Sequence, residues 1–343
     1  MELSRIIGII EIGLVAFFIS LISSLIVIFL SKKFHIFIDT TNSDKPQRFH
    51  DIPTPRAGGI GIFLSFSLVL FHINLSSLYF LSALLITFLS GLMEDFSASL
   101  SPKVRLLVQF LGASVAVFGM QAVITDLSPI VTLPYLLGIA FSLFGIIGVC
   151  NAINIIDGFN GLAGGICAMA FIVIGIGAFE FNCDFVLFAS IIGFCATLGF
   201  LSVNFPQGKI FLGDGGAYLL GFVIAILLVI LTQENSEISA WFGLSVMIYP
   251  VWEVLFSIMR RILNKQSATQ PDKKHLHTLI YQKIQNNPLT ALVIWLFNLP
   301  FMVLALIFIN QAWVLIGLSL AFIAIYGIIY FFLNSSLRSS QSF

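Results

Sequence analysis

Charge is what this sequence has least of. Of its 343 residues 9% are charged and 59% are hydrophobic, where a soluble globular domain carries about 25% charged residues. With a mean hydropathy of +1.05, that shortage excludes a soluble domain and marks a polytopic membrane protein. Cysteine is scarce too. Cys150, Cys167, Cys183 and Cys195 form no CxxC pair and lie mostly in apolar segments, so they read as small buried hydrophobes. A cleavable leader is not expected either. The amino terminus has no basic n-region, and the first apolar stretch runs into Lys32-Lys33 instead of a small-residue cleavage site. Low-complexity tracts and a convincing internal repeat are also lacking, which leaves one membrane-embedded domain over residues 1–343. What is abundant is phenylalanine, with 36 residues, a composition suited to lipid-facing helices.

A spanning helix needs about 20 mostly apolar residues. Eleven segments meet that measure, at 12–30, 58–74, 78–93, 104–122, 134–153, 162–179, 185–203, 215–232, 239–259, 289–309 and 312–333. The second and third are short, so ten is the lower count. Helices are expected because they satisfy their own backbone polar groups in lipid. Threading these segments alternately puts 15 of the 16 lysines and arginines on one side, leaving Arg5 on the other. Basic loops face the cytoplasm, while Asp126, Glu180, Asp184, Glu234 and Glu237 fall outside. The fold expected is therefore all-α and polytopic, with about eleven transmembrane helices and an active site made of cytoplasmic loops.

Five polar stretches land on that inner side. The most informative is Asn151-Ala-Ile-Asn-Ile-Ile-Asp-Gly-Phe-Asn-Gly-Leu-Ala-Gly-Gly165, which interrupts the oil with amides and a carboxylate. Such groups are costly in hydrocarbon unless partnered or functional. Asn151, Asn154 and Asp157 are three apart and can share one helix face, and Gly158 and Gly161 let the backbone turn close to a ligand. The first inner loop brings Arg48, His50 and Arg56, donors suited to phosphate, although an ordinary positive-inside loop would look the same. Glu94-Asp95 closes a helix at the membrane surface shortly before Arg105, and an adjacent acid pair there could hold Mg²⁺. Asn204-Phe-Pro-Gln-Gly-Lys-Ile-Phe-Leu-Gly-Asp-Gly-Gly216 leaves Asp214 exposed between glycines at a helix start, with Lys209 nearby. Pro271-Asp-Lys-Lys-His-Leu-His277 carries His275 and His277, a weak zinc signal without further ligands. Glu253 lies inside the ninth segment, where an acid is either functional or a partner for a neighbouring helix. Carboxylates with interleaved cations suit a metal-bound diphosphate, and hence phosphoryl transfer.

On these motifs the chain resembles the polyprenyl-phosphate N-acetylhexosamine-1-phosphate transferases, glycosyltransferase family 4. The resemblance covers nearly the whole chain, and it is most specific at Asn-x-x-Asn-x-x-Asp-Gly-x-x-Gly-Leu over 151–162 and Phe-Leu-Gly-Asp-Gly-Gly over 211–216. It implies that Asp214 ligates Mg²⁺, with Asp157 as a second carboxylate and Mn²⁺ as an alternative ion. It implies that Glu94 and Asp95 bind metal or activate the lipid phosphate. Asn154 and Asp157 would serve the uridine and diphosphate, and His275 and His277 the sugar and phosphates. Asn151, Asn160, Asn204, Arg56, His50, Arg105 and Lys209 complete the expected substrate contacts. Three positions depart from the family pattern. The acidic pair is Glu94-Asp95 instead of Asp-Asp, Asn160 stands where the family has an aspartate, and Thr278 stands where a third histidine is common. The longer Glu94 favours Asp95 as the base, with Asp157 the remaining catalytic carboxylate.

The resemblance thus implies a bacterial inner-membrane enzyme that joins UDP-N-acetylhexosamine, most readily UDP-GlcNAc, to undecaprenyl phosphate. The product would start an O-antigen, capsule or cell-wall glycan. The short 260–288 loop favours a bare sugar donor over the phospho-MurNAc-pentapeptide of the related peptidoglycan enzyme. From another class, a secondary transporter would place its ionisable groups near the midplane, where this chain has Glu253. The bilayer is an expected partner, nucleic acid is not, and a homodimer is left open.

Overall fold

The computed structural model describes residues 2–39, 53–70, 75–97, 100–267 and 274–341. Among the described residues each of the eleven predicted segments contains helix, and there are thirteen helices in all. They are α1 (Glu2–Phe34), α2 (Gly59–Leu70), α3 (Leu75–Ser97), α4 (Pro102–Gly119), α5 (Tyr135–Ile156), α6 (Leu162–Glu180), α7 (Asp184–Asn204), α8 (Gly213–Glu234), α9 (Trp241–Val246), α10 (Ile248–Leu263), α11 (Leu276–Ile284), α12 (Asn287–Ile307) and α13 (Ala312–Gln341). Among the described residues nine of these are long and apolar enough to cross a membrane: α1, α3 to α8, α12 and α13. The chain is a multi-pass membrane protein.

The other two segments differ from simple spans. Among the described residues α2 has 12, which at a rise of about 1.5 Å each cover about 18 Å of a hydrocarbon core near 30 Å. The ninth segment is broken at Met247 into α9 and α10. Pro250 supplies the reason, because it has no N–H to return to the carbonyl of Val246. The inner loop between 260 and 288 also contains an unforeseen helix. α11 buries Leu276, His277, Thr278, Leu279 and Ile280, a full turn enclosed on every side.

α8 is the axis of the assembly. It is apolar all round, and every residue from Gly213 to Thr232 is buried, as expected for a helix with no polar face. Glycines let its neighbours close on its first turns. A Cβ on Gly91 of α3 would overlap the backbone of Asp214 and Gly215, and one on Gly59 of α2 would overlap Gly216. Gly221 of α8 meets Cys150 of α5, where a Cβ would lie 2.7 Å from the Cys150 Cα. Between helices in lipid, such small-residue contacts stand in for the hydrophobic drive.

The loops at one end are stitched together by backbone. β1 (Ile38–Asp39) pairs antiparallel with β2 (Thr54–Pro55), Ile38 opposite Pro55. The same segment then runs alongside 211–212. Phe211 N–H donates to Pro55 O at 2.8 Å, Gly58 N–H to Phe211 O at 2.9 Å and Gly59 N–H to Leu212 O at 3.0 Å. This lattice fixes Arg56 beside the start of α8. At the opposite end a hairpin of β3 (Asp126–Leu127) and β4 (Val131–Thr132) is held by Gln233 at the end of α8, whose Oε1 accepts from Thr125 and Asp126 N–H.

Candidate active site

α8 begins without a side-chain cap of its own: Leu212 occupies the position where Ser, Thr, Asp or Asn is usual. Gly213 enters the helix at φ +80°, a left-handed conformation suited to glycine, and a Cβ there would lie 2.6 Å from Asp95 Oδ2. The missing cap comes from α3. Asp95 Oδ1 accepts the backbone N–H of Asp214 and Oδ2 that of Gly215, both at 2.9 Å. Its side chain is 1% exposed, and Arg56 Nε lies 3.4 Å away. Asp95 therefore satisfies donors that a helix N-terminus leaves orphaned and complements its dipole.

The carboxylate so positioned is Asp214. Its Oδ1 accepts from Arg56 Nη2 at 2.5 Å and from Asn154 Nδ2 at 3.1 Å. Its Oδ2 accepts from Arg105 Nη1 at 2.7 Å, a nitrogen that also reaches the Tyr218 hydroxyl at 3.3 Å. The Arg56 and Arg105 side chains remain 24% and 20% exposed. Asp157 caps the end of α5. Burial holds its carboxyl well above the usual carboxylate range, a push opposed by Arg56 and reinforced by Asp214 and Asp95. Five segments thus converge on one cluster: the first inner loop, the end of α3, and the starts or ends of α4, α5 and α8.

The predicted site residues separate into groups. Arg56, Asp95, Arg105, Asn154 and Asp214 are in direct contact, with Asp157 in their field. Asn151 donates from Nδ2 to Gln109 Oε1 and to Ile147 O, both at 2.8 Å, tying α5 to α4. Asn204 is buried and accepts Gly161 N–H at 2.7 Å while donating to Ile210 O at 2.7 Å. Asn160 donates from its side chain to Pro206 O at 3.0 Å, and its N–H goes to Asn287 Oδ1 at 2.8 Å. These two amides frame the turn between α5 and α6. The acidic pair is split: Asp95 faces α8, whereas Glu94 Oε2 accepts Leu100 N–H at 3.1 Å and closes the α3–α4 connection. Lys209 is exposed. His50 lies outside the described residues.

His275 and His277 sit beside the same turn. Their rings are parallel within 5°, with centroids 5.2 Å apart. The His277 ring meets Phe159 edge-on at 5.7 Å, and its Nε2 lies 4.0 Å from where a Cβ on Gly158 would sit. Burial lowers the His277 pKa to about 3, so this ring is neutral at physiological pH. Behind the rings stands α10: Tyr249 contacts His277 Nδ1 at 3.1 Å, and Glu253 contacts His275 Nδ1 at 3.0 Å. Tyr218, Tyr249 and Tyr326 were not singled out in the sequence. A signal was present for two of them, since Tyr218 follows Asp214, and Tyr249 precedes Glu253, by one helical turn.

Among the described residues no three His, Cys, Asp or Glu side chains gather to hold a metal by themselves, which does not fit a closed zinc cage. Asp157 lies within electrostatic reach of Asp214. Mg²⁺ takes one or two carboxylates and completes its shell with water and substrate phosphate.

Fold and site define a membrane protein with a carboxylate–arginine cluster at one end of its helix bundle. Residues 77–232, from α3 to α8, match the model of "Glycosyl transferase family 4". The chain is 32% identical over 323 residues to a Bacillus subtilis (strain 168) protein named "Probable undecaprenyl-phosphate N-acetylglucosaminyl 1-phosphate transferase", covering 91% of this chain and 88% of that one. A Thermotoga maritima protein named "Undecaprenyl-phosphate alpha-N-acetylglucosaminyl 1-phosphate transferase" is 29% identical over 286 residues, 82% of this chain and 88% of its own. An Escherichia coli (strain K12) protein with that name is 30% identical over 259 residues, 69% and 68% of the two chains. The chain belongs to glycosyl transferase family 4.

Proposed function

We propose that this protein transfers GlcNAc-1-phosphate from UDP-GlcNAc to undecaprenyl phosphate and releases UMP, starting a surface glycan. The observation that carries the reading is the meeting of Arg56, Arg105 and Asn154 on Asp214 in a chain whose relatives bear that name. The bias of lysine and arginine supports a site facing the cytoplasm, where UDP-sugars would be met.

In this reading an oxygen of the lipid phosphate attacks the β-phosphorus of the donor. The new P–O bond forms as the bond to the oxygen bridging the α-phosphorus breaks, and UMP carries that oxygen away. Arg56 and Arg105 present planar donor forks to the phosphate oxygens and stabilise charge that builds on them, the main contribution a protein makes to phosphoryl transfer. Asp214 and Asp157 would hold Mg²⁺, which when bound neutralises the diphosphate. A phosphate monoester with a second pKa near about 6 is mostly dianionic at neutral pH, so the nucleophile needs little help from a base. Asp95, with both oxygens on backbone N–H groups, then acts by holding the start of α8. His275 and His277 border the sugar-phosphate end beside Gly158.

The test is purified protein in lipid nanodiscs with undecaprenyl phosphate, Mg²⁺ and labelled UDP-GlcNAc, read as UMP release and a lipid-linked sugar. The reading fails if neither appears with any UDP-N-acetylhexosamine. Competition by UDP-MurNAc-pentapeptide distinguishes the pentapeptide donor.

A further inference from the structure

Glu253 is an acid in the apolar ninth segment, 1% exposed, and the transfer reaction as described does not use it. Its surroundings account for the whole carboxylate. Oε1 lies 3.0 Å from His275 Nδ1 and accepts the Leu276 backbone N–H at 3.1 Å, while Oε2 accepts from the Tyr326 hydroxyl at 3.0 Å. The backbone N–H and the tyrosine are donors, so the group they surround is an acceptor on both oxygens. The partner atom on His275 is then an N–H, which leaves Nε2 as the nitrogen free to meet a ligand. One helical turn earlier on the same face of α10, Tyr249 contacts the matching Nδ1 of His277. Two groups on one helix thus grip two stacked rings by the same atom. Among the described residues neither Nε2 has a partner, and neither is among the buried atoms sealed from solvent. The Nε2 of His277 is the atom that faces Gly158 in the turn after Asp157.

We propose that Glu253 is a positioning residue, which fixes the rotation and tautomer of His275 while Tyr249 holds the rotation of His277, so that the Nε2 edges are presented to the phosphate or sugar of the donor. The inference rests on the transferase reading for what the histidines meet, but not for the tautomer. It gives an intramembrane acid the role usually taken by a carboxylate behind a working histidine, where a partner hydrogen-bonded to one ring nitrogen decides what the other can do. The alternative, a purely structural link joining α10, α11 and α13, would use the same contacts but would leave histidine and glutamate independent in catalysis.

Two measurements test the proposal, the first its tautomer and the second its separation from a structural link. The chain has five histidines, so ¹⁵N-histidine spectra of the wild-type protein in nanodiscs, assigned with His275→Asn and His277→Asn, report each ring directly. The expected result is a protonated, hydrogen-bonded Nδ1 on His275. A bare Nδ1 with the proton confined to Nε2 overturns the proposal, and this measurement needs neither substrate nor a Glu253 variant that folds. In the second, Glu253→Gln and His275→Asn are each expected to lower kcat for UDP-GlcNAc by about 10–100-fold. The double variant should be no slower than His275→Asn alone, because the glutamate acts through that ring. A folded Glu253→Gln within about twofold of wild type, or single losses that multiply in the double variant, overturns it. A wild-type protein that turns over no UDP-sugar would instead refute the transferase reading, while the spectra still decide the tautomer.

Discussion

Asp214 and Glu253 are both buried carboxylates carried by helices, and they are balanced in opposite ways. Asp214 is neutralised by two guanidinium groups on long, part-exposed stems. Glu253 is surrounded by a hydroxyl, an imidazole nitrogen and a backbone N–H, all of them buried. The first arrangement can exchange partners: an arriving phosphate competes for the same arginine donors, and a cation competes for the same carboxylate. The second cannot change without leaving a buried polar group unpaired, at about 1–3 kcal/mol for each. One cluster is therefore arranged for ligand exchange and the other for rigidity, and the turn at 157–161 lies between them.

The comparison breaks most directly at Asp214. Asp214→Asn keeps the shape and the contact with Asn154 or an arginine but removes the charge, and a loss of about 10³-fold in UMP release is expected. The variant should still purify as a folded protein. Near-normal turnover would move the reacting centre away from α8.

Asp95→Asn should cost about 10²-fold in turnover together with about 1–2 kcal/mol of stability, because one of the two capping bonds is replaced by an amide facing an N–H. Thermal melting and kinetics measured on the same sample check this. A fall in activity with an unchanged melt would instead make Asp95 a base.

The rigid cluster has a pH signature. His277 is buried with its pKa lowered to about 3 from the usual 6.5, so the unfolded chain takes up a proton that the folded one refuses. Its contribution to stability is complete above pH 6.5 and declines as pH falls towards 3, at up to about 1.4 kcal/mol per pH unit. The melting difference between wild type and His277→Asn should therefore change between pH 7 and pH 5. The smallest effect is expected at Lys209, which is exposed. Lys209→Ala should stay within about twofold of wild type in kcat and KM, and a tenfold rise in KM would place it on the substrate.

Much of this was legible along the chain. Nine of the eleven apolar segments became single helices long and apolar enough to cross a membrane among the described residues, because length and hydropathy are local properties that a bilayer reads directly. The break at Met247 was also within reach, since Pro250 stands in the segment, but a hydropathy window ignores a missing N–H. At the site, Asp214, Asp157, Arg56 and Arg105 stood out as charges in an apolar sequence. Their partners did not. Nothing in the order of residues says that Asp95 turns to the α8 amides while its neighbour Glu94 turns to Leu100. Nor does it say that Asn160 and Asn204 hold the turn between α5 and α6 to the loop before α8.

The sequence by itself determined that the chain lives in a membrane, how its helices are spaced, which loops carry charge and which family motif it bears. Those follow from composition and periodicity, which need no knowledge of what lies across the bundle. The tertiary structure decided which charges meet. α8 is buried on every side, with glycines at its entry letting α2 and α3 approach to backbone contact. That close approach puts Asp95, Arg56 and Arg105 around one helix end although they are far apart in the chain. Electrostatic and hydrogen-bond energies depend on distances through space, so only the packed structure could assign their partners.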